Sequence, residues 1–178
     1  LSDQYVHSEK LHLFIEQVLK EAGLKAKNLS AVAVGKGPGS YTGLRIGVSA
    51  AKGLCYALNL PLLSAHGPEI LMQQAPHDKA VAQEKQLFIP MIDARRQEVY
   101  RAIYKHDGTV VKDIEAQVIS AESFNAYLKN YQLIHLFGDG ADKFKDLFAN
   151  HPQIKVKLKK NLHASHLALL AEKKLANQ

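Results

Sequence analysis

Residues 35–62 read GKGPGSYTGLRIGVSAAKGLCYALNLPL, and this stretch decides the fold. It runs from the end of an apolar strand through a glycine-rich turn into a helix. Gly37 and Gly39 admit backbone angles closed to other residues, and Pro38 stiffens the turn between them. Ser40 or Thr42 supplies an oxygen to cap the helix that follows. The start of such a helix can hold an anion on its open amides. The loop is nevertheless not a Walker A motif: Gly43 is followed by Leu44 and Arg45, so the Gly-Lys-Ser/Thr ending is missing, and the dinucleotide spacing is missing too. Two readings stay open, a sharp structural turn and a phosphate cradle, and the structural turn is preferred.

The helix is unusual in its small residues. Gly43, Gly47 and Ala51 fall four apart, with Ala50 and Gly53 beside them and Ala57 further on. Small residues at this spacing flatten one face of a helix and let another backbone come close. Each interior glycine costs about 1 kcal/mol relative to alanine. A helix holding Gly43, Gly47 and Gly53 therefore needs an offsetting contact, either its own sheet or a partner helix. The sequence alone leaves both open.

Outward from this segment the chain reads as alternating elements. Ser8 can cap a helix whose apolar positions are Leu11, Phe14, Ile15, Val18, Leu19 and Ala22, and Gly23 stops it. Residues 29–35 (LSAVAVG) read as a buried strand. The helix over 41–59 is closed by Asn59 and Pro61, and a short strand (61–65) and a weaker helix (67–75) follow. The polar stretch 76–86 (PHDKAVAQEKQ) has no period and predicts a lobe boundary, giving lobes 1–80 and 81–178. Beyond it, 87–94, 98–105 and 110–119 read as three strands, the last two joined through Asp107-Gly108, a strong hairpin signal. A helix (121–130), a strand (133–138), a helix (140–149), a strand (153–158) and a helix (162–176) complete the chain. The two halves would match if three strands preceded residue 1. The first residue is leucine, and AEKKLANQ ends inside a helical pattern without a cap, so both ends read as cut.

Composition bounds the function. Of the 178 residues, 47% are hydrophobic and 22% charged, which supports a packed core and excludes a disordered chain. No apolar run reaches the roughly 18 residues of a membrane span, and no secretory signal is visible. The single cysteine, Cys55, lies in an apolar helical pattern and reads as a buried reduced thiol, with the cytoplasm as default compartment. The net charge is +6. Much of it lies in 154–160 (IKVKLKK) and 172–174, a solvated basic face or an RNA contact through Lys155, Lys157, Lys159 and Lys160. His7 and His12 fall on different helix faces. His163 and His166 share one without a third ligand. Ser40, Ser49 and Ser64 lack a nucleophile elbow, and Asp93 and Glu98 form no carboxylate pair with a substrate logic. No catalytic residue, metal or cofactor is assigned.

At this point a resemblance enters. GPGSYTGLRIG, the small-residue helix and NLPL together resemble the signature of the TsaB (YeaZ) family. HSEKL (7–11), MIDARRQEVYRAIY (91–104) and LFGDGADKF (136–144) resemble three further segments of it, in order. The resemblance implies an α/β fold of the actin-like ATPase (ASKHA) type with two similar lobes, the family's opening strands being absent before residue 1. It implies a non-catalytic partner of TsaD, working with TsaE and with threonylcarbamoyl-adenylate made by TsaC. The product is N6-threonylcarbamoyladenosine in tRNAs reading codons that start with A. The tRNA is then met indirectly through the complex, and without TsaD the chain forms a homodimer. The pairing face expected from the family's first two helices comprises Leu11, Ile15, Gly43, Arg45, Gly47, Ala50 and Ala51. The alternative is a nucleotide-dependent enzyme. Active relatives place small residues after the aspartate of the second phosphate loop, where this chain has Asp93, Ala94, Arg95 and Arg96. Gly138-Asp139-Gly140-Ala141 is the matching adenosine turn, compatible with nucleotide and equally with a plain turn.

Overall fold

The computed structural model describes residues 7–158 and 160–177, with side chains from residue 10 onward. In chain order the elements are α1 (His7–Glu21), β1 (Val32–Gly35), α2 (Tyr41–Leu58), β2 (Leu62–Ala65), α3 (Gly67–Met72), β3 (Gln86–Asp93), β4 (Glu98–Tyr104), β5 (Val110–Val118), α4 (Asn125–Leu128), β6 (Leu133–Phe137), β7 (Ile154–Lys157) and α5 (Ala164–Ala176). Contacts gather residues 1–66 and 167–178 into one compact unit and 67–166 into another, so the boundary read at 80/81 lies inside the second unit.

The first unit is built on a thin sheet. β1 and β2 pair in parallel from Val32 opposite Leu62 to Gly35 opposite Ala65. Ser40 caps α2, its Oγ accepting from the Gly43 amide at 3.3 Å, as the sequence suggests. Gly37, at φ +90°, is buried against the Leu44 side chain, so the turn before the helix is packed as structure. α2 ends where Asn59 turns left-handed and the Asn59 and Leu60 amides both reach the Cys55 carbonyl. The Cys55 thiol is free and buried. α1 closes in a Schellman motif: the Gly23 amide bonds to Lys20 O and the Leu24 amide to Leu19 O. With α1 starting at His7, Ser8 falls inside the helix; its side chain, read as a cap, lies outside the described residues.

The second unit carries a five-stranded mixed sheet in the order β5-β4-β3-β6-β7. β3 is its middle strand, antiparallel to β4 and parallel to β6, and β6 pairs in parallel with β7. Every residue of β3 from Gln86 to Ile92 is buried. That explains its near-continuous apolar run, since a strand covered on both faces has no polar side. Leu87, Ile89 and Met91 join Phe124, Phe144 and Phe148 on one face, while Phe88 and Ile92 join Leu71, Ala102 and Phe137 on the other.

Two expected helices are corrected. The segment 121–130 keeps only α4, because Ser120 and Ser123 bond local amides in place of helical ones. The segment 140–149 forms a 3-10 turn at Asp142–Phe144 with further i→i+3 bonds, while Phe144 and Phe148 are both sunk into the core.

A buried polar network fixes the approach to β3. The Gln86 amide nitrogen donates to the carbonyls of Asp78 (2.8 Å) and Val81 (2.7 Å), so its oxygen must face His135. His135 Nε2 therefore carries the proton and donates to Gln86 Oε1 at 2.7 Å, while Nδ1 is buried without a partner among the described residues. The ring stacks on Phe88, 5.1 Å between centroids. Burial, with Lys157 adding to it, pushes His135 from 6.5 down to about 4. Between those values the unfolded chain takes up a proton that the folded chain refuses. Stability is thus complete at neutral pH and falls as pH drops from about 6.5 towards 4, by about 3 kcal/mol for this residue. An NMR titration of the His135 ring is expected to show no protonation above about pH 5, and a midpoint near 6.5 would contradict this packing.

Candidate docking face and the Asp93 turn

The seven residues expected to form a docking face do not all point the same way. Leu11, Ile15, Gly43, Gly47 and Ala50 are half-buried, and Arg45 is exposed. Arg45 lies over the exposed Tyr41 ring at 4.3 Å. Leu11 and His12 of α1 and Ile46, Ala50 and Leu54 of α2 line an open groove between the two helices. Ala51 is the exception. It is 6% exposed and turned with Cys55 towards the unit's own interior, so its place on an outward face is corrected. The reason is the helical period: Ala51 lies about 80° round the axis from Gly43, whereas Ala50 lies about 20° from it.

The rest of this face lacks cover. No residue of α1 with a described side chain is buried, and Leu13, Phe14 and Val18 are 59%, 42% and 62% exposed. A Cβ placed on Gly47 would meet nothing within 4 Å. The contact that offsets the interior glycines therefore does not come from the unit's own sheet at this position.

The turn after β3 departs from ordinary backbone. Arg95 and Arg96 stand at φ +72° and +48°, a region costly for side-chain-bearing residues. Lys143 holds the turn with all three of its donors: its ammonium reaches Asp93 Oδ1 at 2.6 Å, Arg96 O at 2.8 Å and Glu98 O at 2.9 Å. Hydrogen bonding to Lys143 holds the Asp93 carboxyl below its usual range. The amides of Ala94, Arg95 and Glu98 are spent inside the turn, on Glu98 O, Asp93 Oδ1 and Arg95 O. Backbone angles suited to glycine are thus present, yet these amides are unavailable to a phosphate.

The Gly138–Gly140 turn has a structural account. Gly138 stands at φ +107°, and a Cβ there would lie 2.2 Å from Met91 O; one on Gly140 would lie 2.7 Å from the Ile92 carbonyl carbon. The Gly140 amide bonds to Met91 O at 3.2 Å. Both glycines let this turn lie flat on the end of β3. Asp139 is held towards its neutral form chiefly by burial.

Of the basic residues read as an RNA patch, Lys155 is paired with Asp78 at 2.7 Å, and Lys159 lies outside the described residues. The His163 and His166 rings meet edge to face at 5.7 Å, and among the described residues no group of three or more His, Cys, Asp or Glu converges. Ser40 serves as the helix cap. No helix among the described residues is long and apolar enough to cross a membrane. No local sequence pattern marks Lys143 or the Gln86–His135 pair. The signal for Lys143 is its distance from Asp93 in the chain, bridged only once β3 and β6 are known to be parallel neighbours.

The parallel core strands, the turns at their ends and the two-unit build define a member of the actin-like ATPase fold class. The chain belongs to the family whose model, described as "TsaD: tRNA N6-adenosine threonylcarbamoyltransferase", matches residues 4–178, and within it to the TsaB (YeaZ) group. It is 32% identical over 108 residues to the tRNA threonylcarbamoyladenosine biosynthesis protein TsaB of Bacillus subtilis (strain 168), covering 61% of this chain and 44% of that protein. It is 32% identical over 101 residues to the protein of the same name from Escherichia coli (strain K12), covering 57% and 42%. The chain thus matches less than half the length of these curated relatives. The solved structure of YeaZ from Pseudomonas aeruginosa superposes with a TM-score of 0.72 at 26% identity, over 98% of this chain and 80% of that one.

Proposed function

We propose that the chain acts in the formation of N6-threonylcarbamoyladenosine in tRNA as a non-catalytic subunit that docks onto TsaD. The observation that carries this reading is the face of α1 and α2. An amphipathic helix with no buried described side chain runs beside a helix whose Gly47 opens onto empty space. A helix forms stably in water chiefly by burying its apolar stripe, and this one has the stripe without the cover. Leu11, Ile15, Gly43, Gly47 and Ala50 form the docking face, with Arg45 at its rim. A second copy of the chain takes the same face when TsaD is absent, and TsaE joins the assembled pair. The bonded amides of Ala94, Arg95 and Glu98 in the Asp93 turn support a subunit without nucleotide chemistry, since a phosphoryl cradle draws on free donors. Calorimetric titration of TsaD into the chain tests the reading. Saturable one-to-one binding with a negative heat-capacity change is expected. Absence of binding, or tight ATP binding with turnover by the chain alone, would refute it.

A further inference from the structure

We propose that the Arg95–Arg96 turn contacts phosphates of the RNA backbone, an inference that rests on the reading of tRNA as the substrate of the complex. Two adjacent residues with long side chains occupy left-handed backbone angles. Such angles cost a side-chain-bearing residue roughly 1–2 kcal/mol, and glycine is free of most of that cost. The fold alone is therefore better served by glycine at both positions, so the guanidinium groups need a role outside it.

The surroundings indicate what that role is. Lys143 spends its whole ammonium group on holding the turn, and Asp93 is neutralised by it. Arg95 and Arg96 are exposed and make no ion pair among the described residues. They are thus a pair of unspent positive charges on a turn fixed in advance. β3, β6 and β7 run parallel, so Lys157 at the end of β7 lies towards the same end of the sheet as the turn, two strands from β3 and level with Pro90. Guanidinium groups recognise phosphate oxygens through paired donors. With the amides of Ala94, Arg95 and Glu98 already bonded, these side chains are the chief donors the turn offers.

The test is fluorescence anisotropy of the full chain with an unmodified tRNA transcript across a salt series, comparing wild type with the double variant Arg95→Gly, Arg96→Gly. Removing two phosphate contacts is expected to reduce the slope of log affinity against log salt by about 2. Between about 50 and 200 mM salt the wild-type affinity then falls roughly tenfold more than that of the variant. The melting temperature of the variant is expected to stay level or rise. An unchanged slope, or no tRNA binding by the wild type, overturns the proposal. So does a variant that loses binding only by unfolding, or equal competition at matched ionic strength by inorganic phosphate or an acidic peptide. TsaD titration of the same two proteins separates the two readings. Retained TsaD binding with an unchanged salt slope defeats the arginine contact alone, and loss of TsaD binding by the wild type defeats the docking reading.

Discussion

Gly47→Leu is expected to weaken TsaD binding at least about a hundredfold, equivalent to about 2.7 kcal/mol, while the chain stays folded. The two halves of this result follow from the same empty space. In the free chain a Cβ at position 47 meets nothing within 4 Å, so a leucine finds room without disturbing the helix or the sheet. Leucine is also the better helix former, by up to about 1 kcal/mol, so the melting temperature should hold or rise. In the proposed complex the partner would fill the same space. An isobutyl group on a face shaped for close backbone approach either holds the subunits apart or forces repacking, and overpacking costs about 1–3 kcal/mol before lost neighbouring contacts are counted. Unchanged affinity in calorimetry would place the docking surface elsewhere. Ala51→Leu serves as the contrast: Ala51 is buried, so added bulk there should destabilise the chain.

The largest effect on stability is expected at Gly138. Gly138→Ala should cost about 2–5 kcal/mol in urea unfolding. Roughly 1–2 kcal/mol comes from the left-handed angle, and about 1–3 from driving a methyl group into the backbone of β3. The clash is with Met91 O, a carbonyl in the middle strand of the sheet that cannot turn aside without breaking its ladder. Gly53→Ala is the control. Its Cβ would meet nothing within 4 Å and its angles are helical, so a gain of about 1 kcal/mol is expected. A loss below about 1 kcal/mol for Gly138→Ala would mean that the turn does not lie on β3 as described.

Much of this architecture is legible from residue pattern. The strand periods, the Asp107-Gly108 hairpin, the Ser40 cap and the Gly23 stop are local signals, and each element they mark is present. Failures occur where distant parts of the chain decide the outcome. Residues 140–149 have helical spacing, but the burial of Phe144 and Phe148 goes with a 3-10 turn there. Ala51 shares a four-residue spacing with Gly47, but its rotation about the axis carries it into the core. The candidate docking residues were named from spacing and resemblance, and the structure adds which of them are uncovered. The bulk of the residues after Asp93 argues from sequence against a phosphate site. The backbone in fact takes glycine-like angles, and the amides of Ala94, Arg95 and Glu98 are occupied by bonds within the turn.

The absence of buried described side chains in α1 has a consequence for the lifetime of the subunit. An element held by so little of its own packing opens at small cost, and such openings are where proteases cut. Occupation of the face by TsaD would close that route through mass action, since a ligand that binds only the folded form removes the open one. Surplus copies would then be degraded first, and the abundance of this subunit would follow that of its partner.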